Sequence, residues 1–444
     1  MSARVDPNFH GYGDIRAFPP WAAAAIARES LVRGNEFRND DAAAEDIRRL
    51  ARLHHTVFDE PSKPTLSAVI GPLIHEQMWW QIGLFEEWTR AVNLFEDTSF
   101  GDVYPWADVI GLSISDAVRA AFVIGQDVNA NGGRWDPGRL DLVYADPRMQ
   151  PHIPRQHVEQ LARYLSAPVA ELRQQGKAYD ERPDRDPDLE KYPLNPLMRY
   201  PLVDLGPVGT WAPVGPLVWR VLLPSTLYTE GVAIWGSSFT RSLGSRYQNY
   251  IGELLRNVAP GLLPEIAYGK GGGSLSVDWI WVTDEAIVLV ECKSAGLGID
   301  ARAGGGKFSE LIDRYLVKGR RQIDTTAEQI RLQTPGFERI PNDRRVVGLV
   351  VTSEPFHFAN AHLDEFGQKG KTPSMVVSAR ELEQLTSYDP DDALGLLLEV
   401  FDDEERRTWN LEQALRSQPS GKHPAELRAW QRISPAWQNG ASGS

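Results

Sequence analysis

Two apolar runs joined by three polar residues, in SLSVDWIWVTDEAIVLVECKSAG (274–296), constrain this chain more than any other stretch. The runs VDWIWV and AIVLV are rich in Val, Ile and Trp, and Thr283-Asp284-Glu285 between them supplies a turn. That pattern predicts an antiparallel hairpin, with Asp278 on its first strand and Glu291-Cys292-Lys293 closing its second. Side chains alternate along a strand, so Glu291 and Lys293 share a face while Cys292 points to the other. The hairpin brings Asp278 beside Glu291 at one strand end.

Two acids and a lysine at one point suit phosphodiester hydrolysis. Mg²⁺ is a hard ion held by one or two carboxylates together with water and substrate phosphate, and Asp278 and Glu291 supply that pair. Lys293 would orient or help deprotonate the attacking water, or neutralise charge that develops on the phosphate. Glu-x-Lys alone is a weak signal, because an exposed ion pair at a strand end contributes only ~0–1 kcal/mol and needs no function. Position decides here. Both charges follow Ala286-Ile287-Val288-Leu289-Val290, a continuous apolar run expected of a strand buried on both sides.

With Asp278 as the first acid and Glu291-Cys292-Lys293 as the second motif, residues 236–385 resemble the PD-(D/E)xK nuclease superfamily, the restriction-endonuclease-like fold. The resemblance implies an α/β nuclease core in the order αβββαβ, a mixed sheet flanked by helices. TRSLGSRYQNYIGELLRNV places Leu243, Tyr247, Tyr250, Ile251, Leu254 and Leu255 at helical spacing and would be the first helix. LLPEIAY would be the first strand, KFSELIDRYLVKGRRQIDTTAEQIRLQ one long amphipathic helix, RRVVGLVVTS a buried strand, and SMVVSARELEQL a strand entering a helix.

The same resemblance implies a Mg²⁺-dependent endodeoxyribonuclease, with Mn²⁺ as a substitute, of the kind found in bacterial restriction and anti-phage defence. Asp278, Glu291 and Lys293 would be its catalytic residues. The metal set comprises Asp278, Glu291 and Cys292, although Cys292 also reads as a small side chain buried behind the strand. Relatives carry a supporting Glu on the first helix where this chain has Gln248, and Glu253 is the alternative. Five helical residues turn through about 500°, so those two side chains point ~140° apart and only one can face the site. Gln322, on the long helix, would be a further polar residue reaching in.

Other motifs fail. Gly304-Gly305-Gly306-Lys307 is followed by Phe308 where a phosphate loop needs Ser or Thr, and His75-Glu76 reaches Trp79, not a second His. One cysteine excludes a disulfide within the chain and fits a reducing, cytoplasmic address. No apolar run approaches the ~18 residues that span a membrane, so no membrane partner is expected. The net charge of −13 opposes nucleic-acid binding by the surface as a whole. Near the site, however, Arg302, Lys307, Arg314, Lys318, Arg320, Arg321 and Arg331 outnumber the acids, and glycine-rich loops carry Lys270, Arg302 and Lys307. Lys270, Arg302, Lys307, Lys318 and Arg321 are therefore the expected contacts to DNA.

The domain reading is a mainly helical N-terminal domain over 1–180, a linker with a short β segment including PLVWRVLLP over 181–235, the nuclease domain over 236–385, C-terminal helices over 386–437 and a disordered tail over 438–444. Trp79, Trp80, Trp88 and Trp106 read as helical core in preference to a base-stacking surface. The N-terminal domain would recruit protein partners of a defence system, and a homo-oligomer is allowed. The competing functions are a catalytically silent relative, binding nucleic acid or assembling a complex, and a protein-binding adaptor working through the helical half.

Overall fold

The computed structural model describes residues 19–35, 44–58, 79–182, 194–294, 312–356, 359–362, 370–417, 419 and 421–434. They form a mixed helix and sheet protein around a five-stranded sheet. Strands β1 (Leu262–Pro264), β2 (Trp279–Val282) and β3 (Ala286–Lys293) are antiparallel neighbours. Strands β4 (Arg345–Thr352) and β5 (Ser374–Ser378) extend the sheet parallel to β3. β3, lying between β2 and β4, buries every residue from Ala286 to Glu291. A strand covered on both faces needs such a continuous apolar run.

The helices that frame this sheet are α1 (Leu84–Phe95), α2 (Ile114–Ala130), α3 (Pro224–Arg256), α4 (Lys318–Arg331), α5 (Ala379–Leu385) and α6 (Pro424–Ile433). α3 is broken at Gly236, whose φ of 61° an L side chain rarely adopts. Beyond the break, Leu243, Tyr247, Tyr250, Ile251, Leu254 and Leu255 are all buried, packing with Trp279, Val288 and Val290 on one sheet face. Gly252 admits the Trp279 indole, whose ring lies 2.2 Å from where a Cβ would stand. α4 covers the opposite face, burying Ile323 and Ile330 with Ile280, Ile287 and Leu289.

One buried apolar cluster includes Trp88 and Ile124 from the N-terminal helices, Leu202, Tyr247, Val288, Leu382 and Ala429. Packing thus continues across the boundaries expected at 180, 235 and 385. The polar centre of this region is Arg90 on α1, buried between Glu87 (2.6 Å) and Glu383 of α5 (2.6 Å), with the Tyr250 hydroxyl of α3 donating to Glu383 at 2.6 Å. Trp79, Trp88 and Trp106 are buried in the same cluster and Trp80 packs against it, so these rings serve the core.

Three sequence expectations change. PLVWRVLLP (216–224) is helical at Leu217–Arg220 and ends on Pro224, the first residue of α3, where proline is favoured. Its buried Leu217, Val218, Val221 and Leu222 follow helical spacing, a pattern that short apolar runs share with strands. The short strands instead form a separate four-stranded sheet from Arg134–Trp135, Ser166–Pro168, Leu202–Asp204 and Thr210–Trp211. The long helix is also not uniform, since Ile312–Val317 makes wide π turns before α4 begins at Lys318. Residues 307–311 and the tail at 438–444 lie outside the described residues.

Candidate active site

The site is built by strand register. Pro264 pairs with Trp279 across β1 and β2, and Trp279 pairs with Val290 across β2 and β3. Glu265 follows Pro264, Asp278 precedes Trp279 and Glu291 follows Val290, so three acids gather at the same end of the sheet. Sequence reading missed Glu265. From Pro264 to the next pair, Ala267 with Leu275, the first strand takes three steps and the second takes four. The extra residue is a bulge at 276–278, a device that re-aims side chains at sheet ends. The backbone N–H of Val277, freed from the ladder, donates to Thr326 Oγ1 of α4 at 3.0 Å. Beyond the bulge, Ala267–Tyr268 and Ser274–Leu275 form a small hairpin arm with exposed Lys270 near its glycine-rich tip.

Asp278, one residue ahead of β2, is fixed by the backbone N–H of Cys292, which donates to its Oδ2 at 2.6 Å. Glu291 is 3% exposed. Its Oε1 pairs with Lys293 Nζ, while its Oε2 is buried without a hydrogen-bond partner. Lys293 Nζ also donates to Gln322 Oε1 on α4 at 3.0 Å. The close approach of α4 depends on Gly319, where a Cβ would stand 3.0 Å from a Val350 methyl and 3.6 Å from Glu291 Cγ. The structure therefore brings Asp278, Glu291, Lys293 and Gln322 together, with Glu265 at the same sheet end.

Burial dominates the electrostatics, with like charge second. Burial and then the neighbouring Asp278 charge push the Glu291 carboxyl up to about 7, against the pull of Lys293. Burial also raises Asp278, opposed by the Cys292 N–H and by Lys293. Glu265 is raised by burial and by Asp278, and its own charge contributes to raising Glu291. A cation would relieve all three, and the unpartnered Glu291 Oε2 is the buried acceptor that such an ion would satisfy. Among the described residues, no three His, Cys, Asp or Glu side chains close around one point as a metal site.

The remaining expected residues separate. Cys292 lies on the α3 face of the sheet, and burial, followed by the Asp278 and Glu291 charges, holds its thiol well above the ordinary value. Mg²⁺ and Mn²⁺ take oxygen ligands and Cys292 faces α3, so the site's chemistry rests on Asp278 and Glu291. Gln248 is half-buried on α3, and its backbone carbonyl accepts the Trp279 indole N–H at 3.0 Å. Glu253 points elsewhere, into ion pairs with Arg428 (3.1 Å) and Arg256 (3.7 Å), and so does not join the acids. Lys318 and Arg321 are exposed on α4, and Arg302 and Lys307 lie outside the described residues.

Comparison with protein-family models, with curated proteins and with solved structures finds no match to this chain. The chemistry of the site carries the functional argument.

Proposed function

We propose that this chain is a divalent-cation-dependent nuclease that hydrolyses phosphodiester bonds of DNA, acting in bacterial restriction or anti-phage defence. The observation that carries the reading is Glu291: a carboxylate 3% exposed, beside Asp278, with one oxygen on Lys293 and the other buried without a partner. The order of helix, three antiparallel strands, helix and parallel strand supports it, being the order of the restriction-endonuclease-like core. The defence role rests on the likeness of a helical region, a short β segment and then such a core. No helix among the described residues is long and apolar enough to cross a membrane.

Asp278 and Glu291 would hold Mg²⁺ or Mn²⁺, two carboxylates being a usual protein share for such an ion. When bound, the ion supplies Lewis acidity toward the scissile phosphate and toward water. The chain's own groups do the rest. Lys293, fixed by Glu291 and Gln322, keeps one of its three N–H donors for the attacking water or a phosphate oxygen. α4 and the hairpin arm flank the acids and present Lys318, Arg321 and Lys270 to the nucleic-acid backbone. A second reading, a catalytically silent nucleic-acid-binding or assembly subunit, is favoured by Gln248 and by the net charge of −13.

Incubating the protein with single- and double-stranded DNA and with RNA, in Mg²⁺, Mn²⁺ or EDTA, separates the two. Cation-dependent cleavage of DNA that disappears in Asp278→Asn is the expected result. No cleavage of any substrate in either metal, or equal cleavage by Asp278→Asn, favours the silent subunit.

A further inference from the structure

Arg256 on α3 and Arg428 and Arg432 on α6 line a cavity of about 500 Å³, together with Asp97, Asn249 and Glu253. Helical spacing builds it. Asn249, Glu253 and Arg256 stand four and three residues apart on one face of α3, and Arg428 and Arg432, four apart, share a face of α6. Three guanidinium groups thus face two carboxylates, which leaves one positive charge unmatched in a chain of net −13. Glu253 accepts from Arg428 at 3.1 Å, and Asp97 accepts the backbone N–H of Ser99 at 3.0 Å. Arg256 stands 3.7 Å from Glu253 and Arg432 3.4 Å from Asp97, as loose ion pairs without hydrogen bonds. Neither guanidinium has a hydrogen-bond acceptor among the described residues, so their N–H donors are left for a further acceptor. Arg256 also lies over the Trp279 ring, 5.1 Å from its centroid, a contact that steadies the cation without using its N–H groups.

We propose that this cavity binds a small phosphate-bearing molecule, with its phosphate held by Arg256, Arg428 and Arg432. A planar guanidinium matches phosphate or carboxylate oxygens in paired N–H···O bonds. Three such groups arriving from two helices exceed what the two oxygens and single charge of a carboxylate can engage. A phosphate monoester presents three acceptor oxygens and about −1.5 to −2 charge at pH 7. The volume lies within the ~300–1,000 Å³ of small-molecule sites and leaves room for an organic group beside the phosphate. Glu253 competes with that phosphate for Arg428 and Arg256 and so sets its affinity. The cavity shares no residue with Asp278, Glu291 or Lys293, so the proposal stands apart from the nuclease reading.

Calorimetry on the full chain in EDTA, at fixed ionic strength, with inorganic phosphate and with adenosine monophosphate as probes, tests this. One equivalent should bind per chain; tighter binding of the nucleotide assigns the source to nucleotides, and equal binding assigns it to the free anion. Arg256→Gln combined with Arg432→Gln should weaken either probe at least ~10-fold, the worth of one charge-assisted hydrogen bond. Both arginines are exposed, so melting temperature should stay near that of wild type. Glu253→Gln should tighten binding, a change that a purely structural set of ion pairs would not produce. Lys293→Ala should bind as wild type does, which separates this cavity from the acidic site. No binding of either probe at millimolar concentration, binding that survives the double arginine variant, or binding lost in Lys293→Ala overturns the proposal.

Discussion

The carboxylate of Asp278 accepts the backbone N–H of Cys292 at 2.6 Å, tying the acid of one strand to the backbone of the next. This bond aims Asp278 toward Glu291 and gives its oxygens unequal roles. An amide oxygen can accept the same N–H, so Asp278→Asn should fold and melt within a few degrees of wild type. Mn²⁺ affinity, measured by calorimetry, should fall at least ~10-fold, because Mg²⁺-like ions are held chiefly by charged oxygen. Unchanged affinity would remove Asp278 from the site.

Lys293 is anchored by Glu291 and Gln322, which engage two of the three N–H donors of its ammonium. The third is left to act on substrate. Lys293→Ala should lower turnover by at least ~10², the usual size of a single acid/base or electrostatic contribution, while Mn²⁺ still binds. Wild-type rates in single-turnover cleavage would make the Glu291–Lys293 pair purely structural.

Glu291 sets a pH dependence whose sign is opposite to that of a salt-bridged surface acid. Its carboxyl is raised from an ordinary 4.5 to about 7, so between those values the folded chain holds a proton that the unfolded chain has lost. The stability this confers is fully present below pH 4.5 and is lost as pH rises through 7, each unit of displacement being worth ~1.4 kcal/mol. Asp278, raised in the same direction, adds to the trend. In EDTA, Tm should therefore fall between pH 5 and pH 8, and Glu291→Gln should flatten that slope. Mg²⁺ at pH 8 should restore Tm by binding the ionised pair. A flat wild-type profile in EDTA would show that Glu291 ionises as if exposed.

Sequence made the hairpin legible because its signal is local: apolar alternation, a three-residue turn and two charges after a buried run. The exact register was not legible: a three-residue turn would set Asp278 opposite Val290, whereas Val282 pairs with Ile287 and so sets Asp278 level with Glu291. Glu265 was hidden because its place depends on which residue of β1 faces Trp279, and the bulge and arm between them conceal the register. Gln322 was suggested by the resemblance, which implies a polar residue of the long helix at the site, whereas Gly319 offered no sign beyond being a glycine in a helix. Of the two α3 candidates, Glu253 turns away from the acids. The pairing of Glu253 with Arg428 depends on α6, far along the chain, which no local pattern discloses.

Gly319 lets α4 lie against β4 directly over Glu291, and the space there is already filled. An added Cβ would meet Val350 methyls at 3.0 and 3.1 Å, so Gly319→Ala should be mildly destabilising and Gly319→Val more so, by ~1–3 kcal/mol for overpacking. The larger effect should be on turnover, since lifting α4 draws Gln322 away from Lys293. Denaturation midpoints and cleavage rates measured on both variants check this. A valine variant with wild-type rates would show that Gln322 has no part in holding Lys293.

DNA engagement should depend on the two elements that flank the acids. The hairpin arm exposes Lys270, and α4 exposes Lys318 and Arg321 within its first turn. The chain as a whole, at a net −13, is acidic enough to repel a phosphate backbone, so these cations must supply local attraction if the site meets DNA. Replacing Lys270, Lys318 and Arg321 together by Gln removes three exposed charges and no buried side chain, so Tm should change little. Affinity for duplex DNA, measured in Ca²⁺ to prevent turnover, should weaken. The slope of log K against log salt should shrink by ~0.9 for each phosphate that the variant no longer neutralises. Should the triple variant keep both affinity and slope, DNA must approach the acids from another side, and the helical N-terminal region becomes the surface to test.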